Sequence, residues 1–138
     1  TYRYALVSRV QSDVPSWLRA KLAMGEGDQV LHLQCMHYHN NKPYQFEDRW
    51  INLQVVSGAA DIDFKEVGPN EWLLREVPLT NAEITFAASR ATKEIAEFLD
   101  SSEGDALFTT ERITWIDTRT VTFARLFYCL GYRLTTQI

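Results

Sequence analysis

Alternating apolar and polar positions, separated by short clusters of turn-forming residues, recur along most of this chain and predict several β-strands. Residues 2–10 carry Tyr, Leu and Val in loose alternation, which predicts a first strand. Pro15 follows where the first turn of a helix tolerates proline, ahead of Trp17, Leu18 and Leu22. The N-terminal part is therefore predicted to be a strand followed by a short helix.

The next stretch has the pattern of a β-hairpin. Residues 30–38 and 44–53 each have strand-like composition, and a polar turn cluster lies between them at 39–43. Both faces of 30–38 mix apolar and polar side chains, as in a sheet with a wet pocket on one side. We predict an antiparallel hairpin over 30–53.

The middle of the chain is less regular. Residues 54–70 contain glycines and a proline and predict an irregular connection, in which Asn70 is placed to cap one helical turn over 71–74. Residues 76–88 have strand-like composition, but Pro78 indicates that this strand is interrupted or lies at a sheet edge.

The last third predicts a helix and a second hairpin. Ser89 is a good N-cap for a helix with one apolar stripe, formed by Ala91, Ile95, Phe98 and Leu99. Residues 106–116 and 120–134 then predict two strands joined at 117–119. The predicted order is strand, helix, strand, strand, helix, strand, helix, strand, strand, which favours an α+β fold with a mainly antiparallel sheet.

Composition narrows the class of protein. The chain has 138 residues, enough for one domain, and its 46% hydrophobic and 23% charged residues exclude a disordered chain. The net charge of −4 argues against this chain binding a phosphate backbone alone. Cys35 and Cys129 form no C-x-x-C pair, so reduced thiols are expected. No membrane span or signal peptide is recognised, and we expect a cytoplasmic protein, with an upstream segment because the first residue is Thr1.

No standard catalytic motif is present, which weakens an enzymatic interpretation. His32, His37 and His39 raise the hypothesis of a metal site, but His39 lies in a turn and no third ligand converges on the others. We therefore predict neither a metal nor a cofactor.

The most informative residues are polar ones at strand centres. Cys35 and His37 share one face of their strand, and Glu47 and Arg49 share one face of the next. If the hairpin register aligns these faces, an acid, a guanidinium and an imidazole meet on one sheet surface. The alternative is an exposed face with an ion pair contributing about 0.2–1 kcal/mol.

The final hairpin shows a similar arrangement. Thr122 and Tyr128 share one face, and Arg125 lies between Phe123 and Phe127 on the other. Arg125 could bind a carboxylate, or it could extend its stem along apolar surface. Taken alone, the residues predict a module that binds a small ligand.

Several segments resemble a known family. PYQFEDRWINL at 43–53, PNEWLLREVPLTNAEITFAAS at 69–89, ERITW at 111–115 and VTFARLFYCLGYRL at 121–134 are similar to the UTRA effector-binding domain of GntR-type transcription repressors, most of all in the histidine-utilisation branch. The resemblance implies a chorismate-lyase-like fold, with an antiparallel sheet of about six strands flanked by helices. It also implies a homodimer in which a preceding winged helix-turn-helix domain, absent here, binds operator DNA. A small-molecule effector, which is urocanate in that branch, is implied to alter the affinity for DNA.

The resemblance also suggests site residues. Sugar-phosphate-binding relatives have two arginines where this chain has Cys35 and His37, which makes a dianionic phosphate a poor fit. For a flat monoanion such as urocanate, the candidates for the carboxylate end are Arg49, Arg125 and His37, and those for the ring end are Glu47, Thr122 and Tyr128. Trp50 could stack on the ligand if a bulge turned it inward. The alternatives are a domain for another metabolite such as a sugar phosphate, a chorismate-lyase-like enzyme, and a dimerisation module with a degenerate pocket.

Overall fold

The computed structural model describes all 138 residues, and its elements follow the predicted order. The strands are β1 (Tyr2–Asp13), β2 (Gln29–His39), β3 (Lys42–Asn52), β4 (Asn81–Arg90), β5 (Ala106–Ile116) and β6 (Arg119–Tyr128). The helices are α1 (Arg19–Leu22), α2 (Pro69–Glu76) and α3 (Lys93–Phe98), and short 3-10 turns lie at Ser16–Leu18 and Ser57–Asp61. No helix has the length and apolar character needed to cross a membrane.

All six strands join one antiparallel sheet in the order β1-β2-β3-β6-β5-β4, which confirms the predicted α+β class. The predicted hairpin over 30–53 is β2 and β3, and its turn is made by Asn40 and Asn41. Both asparagines have positive φ, 50° and 65°, as a two-residue type I′ turn requires. Beyond the turn, the pairing shifts by one residue between Tyr38 and His37, leaving Tyr44 without a partner on β2, and this shift places Cys35 opposite Glu47 and Leu33 opposite Arg49.

One face of the sheet is covered by the segment between β3 and β4, residues 53–80, which we call the covering segment. Its Phe64 and Trp72 pack into a core with Leu31, Leu33 and Ile51 of the sheet. The guanidinium of Arg9 donates hydrogen bonds to the carbonyl oxygens of Ala60 and Ile62. These contacts fix the covering segment over β1, β2 and β3 and leave a polar gap beside it.

The other face carries two separate apolar clusters. Around α1, Leu18 and Leu22 pack with Trp50 and Phe123 of the sheet. Around α3, the cluster is made by Met36, Phe46, Ala91, Ile95, Ala96, Leu99 and Leu107. The single apolar stripe of α3 is thus used to cover one end of this face.

Some predicted boundaries are wrong. Strand β4 begins at Asn81, beyond Pro78, which lies in the link after α2. Ser89 is not a helix cap: it lies within β4, and its hydroxyl makes a hydrogen bond of 2.6 Å to Thr109. The cap of α3 is Thr92, whose Oγ1 accepts from the Ile95 N–H.

Two further boundaries differ. Gly68 is the N-cap of α2, and Asn70, predicted as the cap, lies inside the first turn. Strand β6 ends at Tyr128, before the predicted residue 134. Capping residues were misassigned because several polar residues near each helix start satisfy the same local pattern, and tertiary contacts decide between them.

Candidate functional site

A cavity of about 280 Å³ lies on the sheet face beside the covering segment. This volume is near the lower limit of small-molecule sites, which span about 300–1,000 Å³. Strands β1, β2, β3, β5 and β6 form its sheet side, and the start of α2 forms its rim. Its lining residues are Tyr2, His37, Tyr44, Gln45, Glu47, Arg49, Gly68, Asn70, Glu71, Arg112, Leu126 and Tyr128.

The deepest polar feature of the cavity is a network centred on Glu47. Arg49 Nε donates to Glu47 Oε2 at 2.6 Å, and His37 Nε2 lies 2.7 Å from Glu47 Oε1. The side chains of Glu47 and Arg49 are each only 2% exposed. Alternation along β3 and the hairpin register bring the three groups to one face, which is one of the two arrangements that the sequence left open.

The charge of Glu47 is set by its neighbours. Burial alone would raise the pKa of this carboxyl, but the Arg49 guanidinium and the hydrogen bonds from His37 and Arg49 outweigh burial and lower the pKa to about 2. Glu47 is therefore an anion at neutral pH. Since one guanidinium already neutralises it, the Glu47–Arg49 pair contributes no net charge to the cavity.

His37 is held from both sides. Its Nδ1 lies 2.7 Å from the Tyr2 hydroxyl. Burial, followed by neighbouring charges, raises the pKa of Tyr2 to about 12, so this phenol keeps its proton at neutral pH. Both ring nitrogens of His37 therefore have a hydrogen-bond partner, Glu47 at Nε2 and Tyr2 at Nδ1, which fixes the orientation of the ring.

A second guanidinium, that of Arg112 on β5, reaches the cavity from the opposite side. Its Nη1 donates to Asn70 Oδ1 of α2 at 3.3 Å, whereas its Nε is buried and has no hydrogen-bond partner. Burial and then the charge of Arg49 lower the pKa of Arg112.

Of the eight candidate residues from the sequence, four line the cavity: His37, Glu47, Arg49 and Tyr128. Thr122 lies beneath it, where its hydroxyl is 3.5 Å from Arg49 Nη1 and 2.7 Å from the Thr114 hydroxyl. Cys35 is on the same face but is fully buried, with Sγ 3.5 Å from the Tyr4 hydroxyl. Burial, followed by the charge of Glu47, raises the pKa of Cys35 to about 12, so it remains a thiol.

Trp50 and Arg125 need correction, because both lie on the opposite face of the sheet. The ring of Trp50 stacks on His32 at 4.3 Å and is 5.0 Å from Trp17, and no register shift turns it inward. Arg125 pairs with Glu111 at 3.0 Å and lies over the ring of Trp17. Strict alternation along β3 and β6 keeps both away from the cavity.

Several lining residues were not predicted as site residues. Tyr2 and Asn70 come from elements distant in sequence, and their approach depends on the pairing of β1 and on the placement of α2. Arg112 had a usable signal, since Glu111 and Arg112 alternate and one of them must face the covered side. No group of three or more His, Cys, Asp or Glu side chains is placed to hold a metal ion.

Comparisons with known proteins agree with this architecture. The UTRA domain family matches residues 1–131. Histidine utilization repressors from Klebsiella aerogenes and Pseudomonas putida are 34% and 33% identical to this chain, each over 107 residues or 78% of it. The matched parts are 44% and 43% of those proteins, so the chain is similar to less than half of their length.

Solved structures extend the likeness to the whole chain. The C-terminal domain of the histidine utilization repressor from Pseudomonas syringae pv. tomato str. DC3000 superposes with a TM-score of 0.92 at 28% identity, covering 100% of this chain and 99% of that one. A GntR-family transcriptional regulator from Enterococcus faecalis V583 has a TM-score of 0.76 at 19% identity, covering 100% and 97%. The second likeness shows the fold alone.

Proposed function

Because this chain belongs to the UTRA domain family, we propose that it is the effector-sensing domain of a transcriptional repressor of histidine-utilisation genes. We propose that its effector is urocanate or a similar imidazole carboxylate. In this proposal the full-length protein is a cytoplasmic homodimer that binds operator DNA through a winged helix-turn-helix domain preceding residue 1. The relatives are named as repressors, so the proposed role is binding without a catalytic step.

The observation that carries the effector proposal is the buried His37–Glu47–Arg49 network at the base of the cavity. Polar groups held rigidly by one another on two paired strands are preorganised, so a ligand that binds them need not order them first. The cavity offers donors and acceptors together, from Arg49, Glu47 and the hydroxyl of Tyr128. A flat ligand with a carboxylate at one end and ring nitrogens at the other needs both kinds of group.

The charge of the network favours a monoanion over a phosphate ester. Glu47 neutralises Arg49, and the ring of His37 already makes hydrogen bonds to Glu47 and Tyr2. A dianionic phosphate requires several uncompensated cationic donors on one side. This supports an effector with a single carboxylate.

Regulation requires that the effector bind the DNA-bound and released states with different affinity. A tenfold change in operator affinity corresponds to a coupling free energy of about 1.4 kcal/mol. That energy is within the reach of a few hydrogen bonds made in one state and lost in the other.

Isothermal titration of this domain tests the proposal. We expect urocanate to bind more tightly than histidine, imidazole propionate or N-acetylglucosamine-6-phosphate. Arg49→Lys is expected to weaken urocanate at least tenfold, because one ammonium cannot donate to both Glu47 and the ligand in the same geometry. Arg75→Lys, at an exposed ion pair on α2, is the matched control and is expected to bind as the wild type does. A response to the sugar phosphate alone would assign the domain to another effector class.

A further inference from the structure

We propose that Arg112 is the second cationic anchor of this cavity and that the effector's carboxylate binds between Arg112 and Arg49. The inference rests on the proposed effector function and specifies which end of the ligand faces which side. It adds a specificity-determining residue from β5, a strand that contributes none of the residues in the buried network.

The two arginines lie in one row across the sheet. Arg112 is directly opposite Ala124 on β6, and Ala124 is directly opposite Arg49 on β3. The three side chains therefore share one face, and the Cα atoms of the arginines are about 10 Å apart, two strand spacings. Ala124 has only a methyl group, so no side chain in this row separates the two guanidiniums.

The hydrogen bonds of Arg112 are incomplete. The only acceptor it reaches is the neutral amide oxygen of Asn70, at 3.3 Å. Its Nε is buried without a partner, a condition that is rare for a guanidinium and unfavourable unless a ligand supplies the acceptor. Adjacent guanidinium N–H groups match the two oxygens of a carboxylate.

The charge balance indicates the same ligand chemistry. Glu47 is paired with Arg49, whereas Arg112 takes part in no ion pair. Glu71 also lines the cavity, from α2, but its side chain is exposed and does not pair with Arg112. Repulsion from Arg49 also lowers the pKa of Arg112. One added negative charge would neutralise the inner part of the cavity and relieve this repulsion.

The consequence is a defined orientation. With the carboxylate between Arg49 and Arg112, the ring of the ligand lies toward the remaining lining groups, the phenols of Tyr44 and Tyr128 and the carboxylate of Glu71. Phenol and carboxylate oxygens accept hydrogen bonds from ring N–H groups, so these residues match the imidazole end.

Titration of two ligands against two variants tests the role of Arg112. The ligands are urocanate and its methyl ester, which keeps the ring and removes the charge. We expect the wild type to prefer urocanate at least tenfold, and Arg112→Gln to lose this preference by weakening urocanate while leaving the ester within twofold. Arg75→Gln, at an exposed position on α2, controls for removing any arginine and is expected to keep the wild-type preference.

The outcomes separate this inference from the proposed function. If wild type and Arg112→Gln bind urocanate equally, or if Arg112→Gln weakens both ligands equally, the inference is wrong and the effector proposal stands. If the wild type binds neither ligand, the effector proposal fails and Arg112 is tested alone with trans-cinnamate, a monocarboxylate without an imidazole. A change in the Arg112 Nε–H resonance in NMR spectra then supports the anion site, and no change overturns it.

Discussion

At the scale of single residues, Glu47 holds the cavity together. One carboxylate receives hydrogen bonds from Arg49 and His37, and it is the only acidic group among the fully buried residues of the sheet. Removing charges from water is costly, and such a pair is retained only when its geometry is good and both partners are present. Loss of one partner leaves the other charge buried without compensation.

We expect Glu47→Gln to destabilise the domain by about 3–5 kcal/mol at neutral pH, because Arg49 then has no counter-charge. This loss in the free energy of unfolding depends on pH. The pKa of Glu47 is lowered from 4.5 to about 2 in the fold, so its ionic contribution is complete above pH 4.5 and disappears as the pH falls through 2. The curves of wild type and variant should therefore converge on acidification.

Urea unfolding between pH 2 and pH 7 measures both effects. Glu76→Gln, which breaks an exposed pair with Arg75, is the control and should cost no more than about 1 kcal/mol. A constant difference between wild type and Glu47→Gln across the whole pH range would contradict the assigned titration.

Residue-level prediction succeeded where alternation alone decides the outcome. Alternation alone grouped Cys35 with His37 and Glu47 with Arg49. Whether the two groups meet was left open, and they do because the hairpin register shifts by one residue at Tyr44, which no local pattern indicated. Trp50 and Arg125 were proposed for their chemistry rather than their position, and alternation places them on the other face. Tyr2 and Asn70 could not be placed, because their neighbours are set by contacts distant in sequence.

At the scale of elements, β4 differs from every other strand. It is an outer strand of the sheet, and nearly all of its residues are exposed, including Ile84 at 45% and Phe86 at 61%. It has no proline and no bulge to block pairing with a further strand. Its composition predicted a strand. Its exposure was not predictable from composition, because it results from helices that cover only other parts of the sheet.

We expect β4 to form the homodimer contact of the proposed repressor. An antiparallel two-fold pairing centred on Phe86 places the two Phe86 rings opposite each other and Ile84 opposite Ala88, with no like charges facing. Phe86→Glu should therefore shift the domain to monomer in light scattering after size-exclusion chromatography. Val10→Glu, an exposed position on the other outer strand, β1, is the matched control and should leave the dimer intact. A Phe86→Glu protein that remains dimeric would place the interface elsewhere.

At the scale of the whole molecule, the cavity is connected to the N-terminus of the chain through β1. The Tyr2 hydroxyl contacts His37 Nδ1, and the two rings stack with centroids 5.8 Å apart. His37 in turn contacts Glu47, so a ligand that binds the buried network also alters the groups holding Tyr2. In the proposed repressor the DNA-binding domain precedes this residue, which gives effector binding a short physical route to DNA affinity.

Tyr2→Phe in the protein that carries the DNA-binding domain tests this route. The variant keeps the ring and removes only the hydroxyl that contacts His37, so urocanate affinity should stay within about threefold, the effect of losing roughly 0.6 kcal/mol or less. The decrease in operator affinity caused by urocanate should shrink at least fivefold, measured by fluorescence anisotropy with labelled operator DNA. Tyr38→Phe, whose ring lies under Arg3 on the other face, is the control and should respond to urocanate as the wild type does. An unchanged response in Tyr2→Phe would mean that another element couples effector binding to DNA affinity. The start of α2 would then be tested next, because it contributes Asn70 and Glu71 to the rim of the cavity.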